Sequence, residues 1–130
     1  MIILSIRSDK PDAEIGLYDN SQQLAFDTWE AHRELAETIH KRIDKLLKGQ
    51  HRDWSDIEGV VCYRGPGSFT GLRIGLSVAN SLSYALGAPI IATEGDNWLR
   101  YGLTKILNGN DDTIALPEYG SPPHVTKPRK

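Results

Sequence analysis

The sequence predicts an α/β fold, a single lobe in the order β-β-β-α-β-α-β-α with an extended C-terminal tail. Three observations carry this. Short strand-like runs broken by turn residues fill the first 26 positions. Helical spacing takes over at Leu35, Ile39, Ile43 and Leu46, and apolar strand-like runs then alternate with helical ones. A chain of 130 residues with 39% hydrophobic and 25% charged residues is enough for one globular domain, which excludes a disordered chain.

Ile2 to Ile6 is a short buried strand, and Asp9-Lys10-Pro11-Asp12 is a turn cluster. Glu14 to Tyr18 is a second strand. Asp19-Asn20-Ser21 turns into a third, Gln23 to Phe26, which completes an antiparallel meander. The first helix is expected over Thr28 to Lys48, with Asp27 and Glu30 as a capping box and Gly49 as its stop. Ile57 to Tyr63 is the fourth strand, and its core Val60-Val61-Cys62 is apolar without alternation, as a strand covered on both faces requires. The second helix runs from Phe69 to Leu86 with Gly87 as C-cap, and the fifth strand from Pro89 to Thr93. The third helix runs from Asp96 to Leu107, capped by Asp96 or Thr93. Residues 1–108 form the lobe, and 109–130 a turn and a Pro-rich basic tail.

The formal charge of -2 excludes a surface that is basic throughout, as a general nucleic-acid binder would show. The charge is uneven: Lys127, Arg129 and Lys130 leave the first 120 residues with 12 basic and 17 acidic groups. That end is expected to make weak, salt-sensitive contact with an acidic partner surface, or to be simply solvated. Cys62 is the single cysteine and sits in an apolar run, so it is expected to be a buried structural thiol. Met1 to Ile6 is too short for a secretory leader, and no run reaches the ~20 apolar residues of a membrane span, so a soluble cytoplasmic protein is expected.

Gly65-Pro66-Gly67-Ser68-Phe69-Thr70-Gly71-Leu72-Arg73-Ile74-Gly75 joins the fourth strand to the second helix. A Gly-rich turn before a helix N-terminus is the layout of an anion site. It is equally the layout of a tight turn with Ser68 or Thr70 as N-cap. No Lys-Ser/Thr pair closes it as a phosphate loop would. The helix that follows carries one charge between Leu72 and Leu86, Arg73, and is apolar nearly all round. Gly71, Gly75 and Ala79 lie four apart, a bare stripe on which another helix could close. An interface with another protein is therefore expected on this helix, and Gly75→Leu is expected to weaken it while leaving the monomer folded.

The element order resembles the ribonuclease-H-like lobe of actin, the sugar kinases and the heat-shock ATPases. The glycine-rich run, with Ala79 and Leu82 to Leu86, resembles the signature of the bacterial TsaB (YeaZ) family. His32-Arg33-Glu34-Leu35, Met1 to Ile6, and the tail segments Pro117-Glu118-Tyr119 and Pro122 to Pro128 are similar to further family features. The chain looks like a minimal member without the family's second lobe. The resemblance implies a non-catalytic partner of the catalytic paralogue TsaD in making N6-threonylcarbamoyladenosine next to the tRNA anticodon, with no cofactor or metal. TsaE, an ATPase, is a third component, tRNA contact is indirect or weak, and a homodimer through the same helices is an alternative pairing. The interface implied takes His32, Leu35, Ile39, Gly71, Leu72, Gly75, Leu76, Ala79 and Leu82, with the motif turn Gly65 to Thr70 and Arg73 beside it.

The rival is a nucleotide-binding or ATPase-type enzyme of the same fold. Such enzymes place an Asp at the end of the first strand to organise a metal. Here Arg7 follows Ile6, and a cation there would repel Mg²⁺. His32 and His40, two turns apart, are too few for a metal site, and Trp29 and Trp54 flank the first helix as packing residues. No Ser or Cys stands in a nucleophile elbow.

Overall fold

A computed structural model describes residues 1–67 and 69–118, without the side chains of His32 and Phe69. The strands are β1 (Ile2–Arg7), β2 (Asp12–Asp19), β3 (Gln22–Glu30), β4 (Gly59–Gly65) and β5 (Ile90–Glu94). The helices are α1 (Leu35–Gly49), α2 (Phe69–Leu86) and α3 (Trp98–Leu107). The strands form one mixed sheet in the order β3-β2-β1-β4-β5. β1, β2 and β3 pair antiparallel, and β4 and β5 extend the sheet in parallel from β1. This is the ribonuclease-H-like lobe that the element order predicts.

The central strands β1 and β4 are buried along nearly their whole length, as their unbroken apolar runs require. Alternation along the strands sends their side chains into two layers. Ile6 and Ser8 point at α2, where they stand against Gly75. Val61 points the other way, against Gly102 of α3. α1 lies on the α2 side: Trp29 Nε1 donates to Thr38 Oγ1 (3.0 Å), and Arg42 pairs with Asp27 (3.2 Å). Trp54 closes the other flank of α1, donating to Asp44 Oδ1 (3.0 Å) and standing beside His40, with ring centroids 6.1 Å apart.

Several boundaries differ from the sequence reading. α1 begins at Leu35 rather than Thr28, because Thr28, Trp29 and Glu30 complete β3 opposite Glu14, Ala13 and Asp12. Thr28 and Trp29 suit a pleated strand better than a helix start. Asp27 is therefore no helix cap; its carboxylate faces Arg42. His32–Glu34 forms a 3₁₀ turn between the two elements. β4 starts at Gly59 because Trp54–Asp56 folds into a 3₁₀ turn with its own Asp53/Asp56 capping box. At α3, neither Asp96 nor Thr93 caps the first turn: Asn97 holds the N-cap position, and Thr93 Oγ1 donates to the Trp98 carbonyl (2.6 Å).

The segment after α3 turns back onto the lobe. Asp111 Oδ1 accepts from Ile90 N–H (3.1 Å), and Asp112 Oδ2 from Ala92 N–H (2.8 Å). The Asn80 amide grips Ala115 in both senses, accepting from its N–H at 2.7 Å and donating to its carbonyl at 3.0 Å. Glu118 N–H then donates to the Arg64 carbonyl (2.7 Å). The basic residues Lys127, Arg129 and Lys130 lie outside the described residues.

Candidate functional site

The glycine-rich turn is built on a buried ion pair. At the end of β1, Arg7 Nε donates to Asp9 Oδ1 at 2.7 Å and Nη2 to Oδ2 at 3.3 Å, so one cation engages both carboxylate oxygens. The Asp9 side chain is only 6% exposed. Burial pulls the Arg7 guanidinium down, but the hydrogen bond and charge of Asp9 outweigh it and raise its pKa. Arg7 also lies over the Tyr63 ring, 4.0 Å from its centroid, and Tyr63 Oη donates to the Pro66 carbonyl at 2.6 Å. Burial is the first cause that pushes the Tyr63 hydroxyl pKa up, with the charge of Asp9 second.

Two glycines make the turn possible. Gly65 has φ +125 and lies against the Glu118 carbonyl, so neither its conformation nor its space admits a side chain. Gly67 lies against Asp9. The Gly65–Pro66 peptide is cis. The turn is thus packed on protein groups, and an anion at Gly67 would meet a carboxylate. Ser68, a candidate N-cap, lies outside the described residues, and Thr70 is exposed. A cleft of about 390 Å³ opens between the heads of α1 and α2, lined by Asp9, Lys10, Arg33, Thr70 and Ile74 among others. Among the described residues, no group of three or more His, Cys, Asp or Glu side chains could hold a metal ion.

α2 lies on the sheet with a different side than its glycines suggest. Leu72, Gly75, Leu76 and Ala79 are buried. A Cβ on Gly75 would collide with the Ser8 side chain, and Ser8 Oγ donates to the Gly71 carbonyl (2.7 Å). The expectation that Gly71, Gly75 and Ala79 form a stripe free for a partner helix is therefore corrected at two of its three positions: Gly75 and Ala79 are buried, and the close approach Gly75 permits is to Ser8 and Ile6. Leu35 and Ile39 are likewise buried, while Gly71 and Leu82 are half-buried. His32 lies in the turn before α1, and its side chain is outside the described residues.

The outward side of α2 consists of Thr70, Arg73, Ile74, Ser77, Ser81, Tyr84 and Ala85, exposed except for the half-buried Ile74. Tyr84 is 92% exposed. Ala36 and His40 are exposed on the neighbouring α1. The sequence reading missed this face, although the 100° phase of α2 carries it: Ser77, Ser81 and Tyr84 fall opposite Leu72, Ala79 and Ser83. Cys62 is fully buried under α2, and burial pushes its thiol up to about 12, so it is a structural thiol.

The family model described as tRNA N6-adenosine threonylcarbamoyltransferase matches residues 29–94, from the end of β3 through both helices and the turn to the end of β5. The chain is 31% identical over 108 residues to the tRNA N6-adenosine threonylcarbamoyltransferase of Ralstonia pickettii, covering 71% of this chain and 31% of that protein. It is 28% identical over 122 residues to the tRNA threonylcarbamoyladenosine biosynthesis protein TsaB of Escherichia coli, covering 85% of this chain and 50% of the relative. Among solved structures, YeaZ from Pseudomonas aeruginosa superposes with a TM-score of 0.66 at 25% identity, over 72% of this chain and 43% of that one. The chain thus spans half or less of the length of these relatives.

Proposed function

Since the chain belongs to the tRNA N6-adenosine threonylcarbamoyltransferase family, as a member of its TsaB (YeaZ) type, we propose that it is a non-catalytic partner of a TsaD-like catalytic subunit in forming N6-threonylcarbamoyladenosine on tRNA. The observation that carries this reading is the outward side of α2. Ser77, Ser81 and Ala85 are small and recur every four residues, with Ile74 and Tyr84 at their margins. Such a surface accepts a partner helix at the close end of helix packing, ~8 Å between axes. The same face and the adjoining α1 lie within the part of the chain that the family model matches.

Arg7 supports a non-catalytic role. Both oxygens of Asp9, the first acid after β1 in the sequence, are engaged by a cation of the chain itself. A nucleotide-hydrolysing site on this fold would need such a carboxylate for its metal. A TsaE-like ATPase as third component, and weak or indirect tRNA contact, rest on the family resemblance.

The test is isothermal titration of the chain against a TsaD-like subunit. Ser81→Arg drives a long charged side chain into the seam and is expected to weaken binding about 100-fold or more, the scale of a central interface position. Ile74→Asp should act in the same direction. Normal affinity in both variants, with folded circular dichroism spectra, would place the partner elsewhere and remove the support for a partner role.

A further inference from the structure

The segment that returns from α3 is tied to the lobe at three places. At the β5 edge the Asp111 and Asp112 carboxylates accept from Ile90 and Ala92 N–H, and Asp112 N–H donates to the Ile90 carbonyl at 2.8 Å. At its far end Arg64 Nε donates to the Leu116 carbonyl (2.9 Å), and Glu118 N–H to the Arg64 carbonyl. Between these, Asn80 of α2 holds both backbone groups of Ala115. Side chains alternate along the segment, as on any extended chain. Ala115 is 3% exposed and Pro117 half-buried, whereas Ile114 and Leu116 are exposed and line a separate cavity with Ala92 and Lys105. Ala115 and Pro117 thus stand toward α2. Together with Ser77, Asn80 and Ser81 they border an open groove of about 450 Å³.

This groove continues the outward side of α2, since Ser77 and Ser81 belong to both. A helix with its side chains is ~10–12 Å across, so one seated over Ser77 and Ser81 reaches the flanking segment as well. That flank is fixed before any partner arrives. Asn80 spends its carbonyl and its amino group on Ala115, so ordering the wall is no cost of binding. The two walls differ in chemistry: the hydroxyls of Ser77 and Ser81 stand on one, Ala115 and Pro117 on the other. We infer that the returning segment is the second wall of the docking site. The helix of the TsaD-like partner lies between α2 and Ala115–Pro117, with a polar side chain toward the serines and an apolar one toward Pro117. The inference rests on the partner role proposed above and adds to it a segment remote from α2 in the sequence.

The full chain titrated with a TsaD-like subunit tests it. Pro117→Arg fills the groove from the segment's side and leaves α2 unaltered. It should weaken binding about ten-fold, less than Ser81→Arg, as suits a flank rather than a centre. Leu116→Arg, on the opposite side of the same segment, should leave the affinity unchanged. Exchange of the Ala115 amide, which donates to Asn80 Oδ1 in the free chain, should slow further when the partner is bound. That readout stands even where a variant fails to fold. Normal affinity in a folded Pro117→Arg chain, equal losses in Pro117→Arg and Leu116→Arg, or exchange at Ala115 that the partner does not change would overturn the inference. A weakened Ser81→Arg chain would then still uphold the partner role. If the parent chain does not bind the subunit at all, the partner role falls and this inference with it.

Discussion

The two sides of α2 have similar side-chain sizes and opposite duties. Inward stand Leu72, Gly75, Leu76 and Ala79; outward stand Ile74, Ser77, Ser81 and Ala85. Small residues repeat every four positions on both. On the inner side Gly75 lets the helix settle against Ser8 and Ile6, and Ala79 is buried. On the outer side Ser77, Ser81 and Ala85 are exposed, while Ile74 packs partly on the core and Ser77 and Ser81 border the returning segment at Ala115 and Pro117. Spacing alone says that something comes close. Whether that neighbour is the chain's own sheet or another molecule depends on the angular position of the row relative to the apolar residues around it.

The sharpest way to break this distinction is Gly75→Leu. A Cβ there already overlaps the Ser8 side chain, and three further carbons would push α2 off β1. We expect a loss of about 3 kcal/mol or more, the upper range for overpacking a tight contact, read from the midpoint of urea unfolding. Unchanged stability would mean that Gly75 faces outward after all.

Arg7→Met probes the head of the same helix. It leaves Asp9 buried without its cation beneath the turn that starts α2. Breaking a buried pair by removing one partner costs about 3 kcal/mol. Asp9→Asn in the same background should recover much of that loss, since it removes the stranded charge. A loss below ~1 kcal/mol would show that the pair does not hold the turn.

The sheet beneath α2 carries a pH signature. The Cys62 thiol is pushed up to about 12 by burial, against 9.0 in its ordinary state. Above pH 9 the unfolded chain gives up a proton that the folded chain keeps. Stability is therefore undiminished by this group below pH 9 and falls between pH 9 and 12, by at most ~1.4 kcal/mol per pH unit. Cys62→Ala should flatten that decline relative to the parent, as followed by unfolding at several alkaline pH values. A parallel decline in both proteins would mean that the thiol reaches solvent.

Much of this fold could be read from the chain. The meander, the β4–turn–α2 unit and α3 follow from period and turn residues, because those signals are local. The end of β3 was hidden, since Thr28, Trp29 and Glu30 combine a helix-like acidic pattern with strand-forming side chains, and only pairing with Asp12 to Glu14 decides between them. The Asn80–Ala115 grip spans 35 residues and has no periodic trace. The candidate docking side failed for a subtler reason. Glycines report a close approach without its direction, while the polar arc of Ser77, Ser81 and Tyr84, which does report direction, looks unremarkable beside a run so apolar.

The smallest expected change in stability is the one that sharpens the comparison most. Ser81 is exposed on the outer side of α2, and among the described residues its side chain makes no hydrogen bond to another element. Ser81→Arg exchanges one exposed residue for a better helix former, so the isolated chain should keep its unfolding midpoint within ~0.5 kcal/mol. Four positions and a little more than one turn separate it from Ser77, and six from Gly75, whose enlargement should be the most damaging of the set. A pair so close on one helix, one intolerant of bulk in the monomer and the other indifferent to it, can be explained only if the helix has a sheet on one side and open space on the other. If Ser81→Arg instead unfolds the chain as Gly75→Leu does, both sides of α2 are core, and no face of this helix is left for a partner.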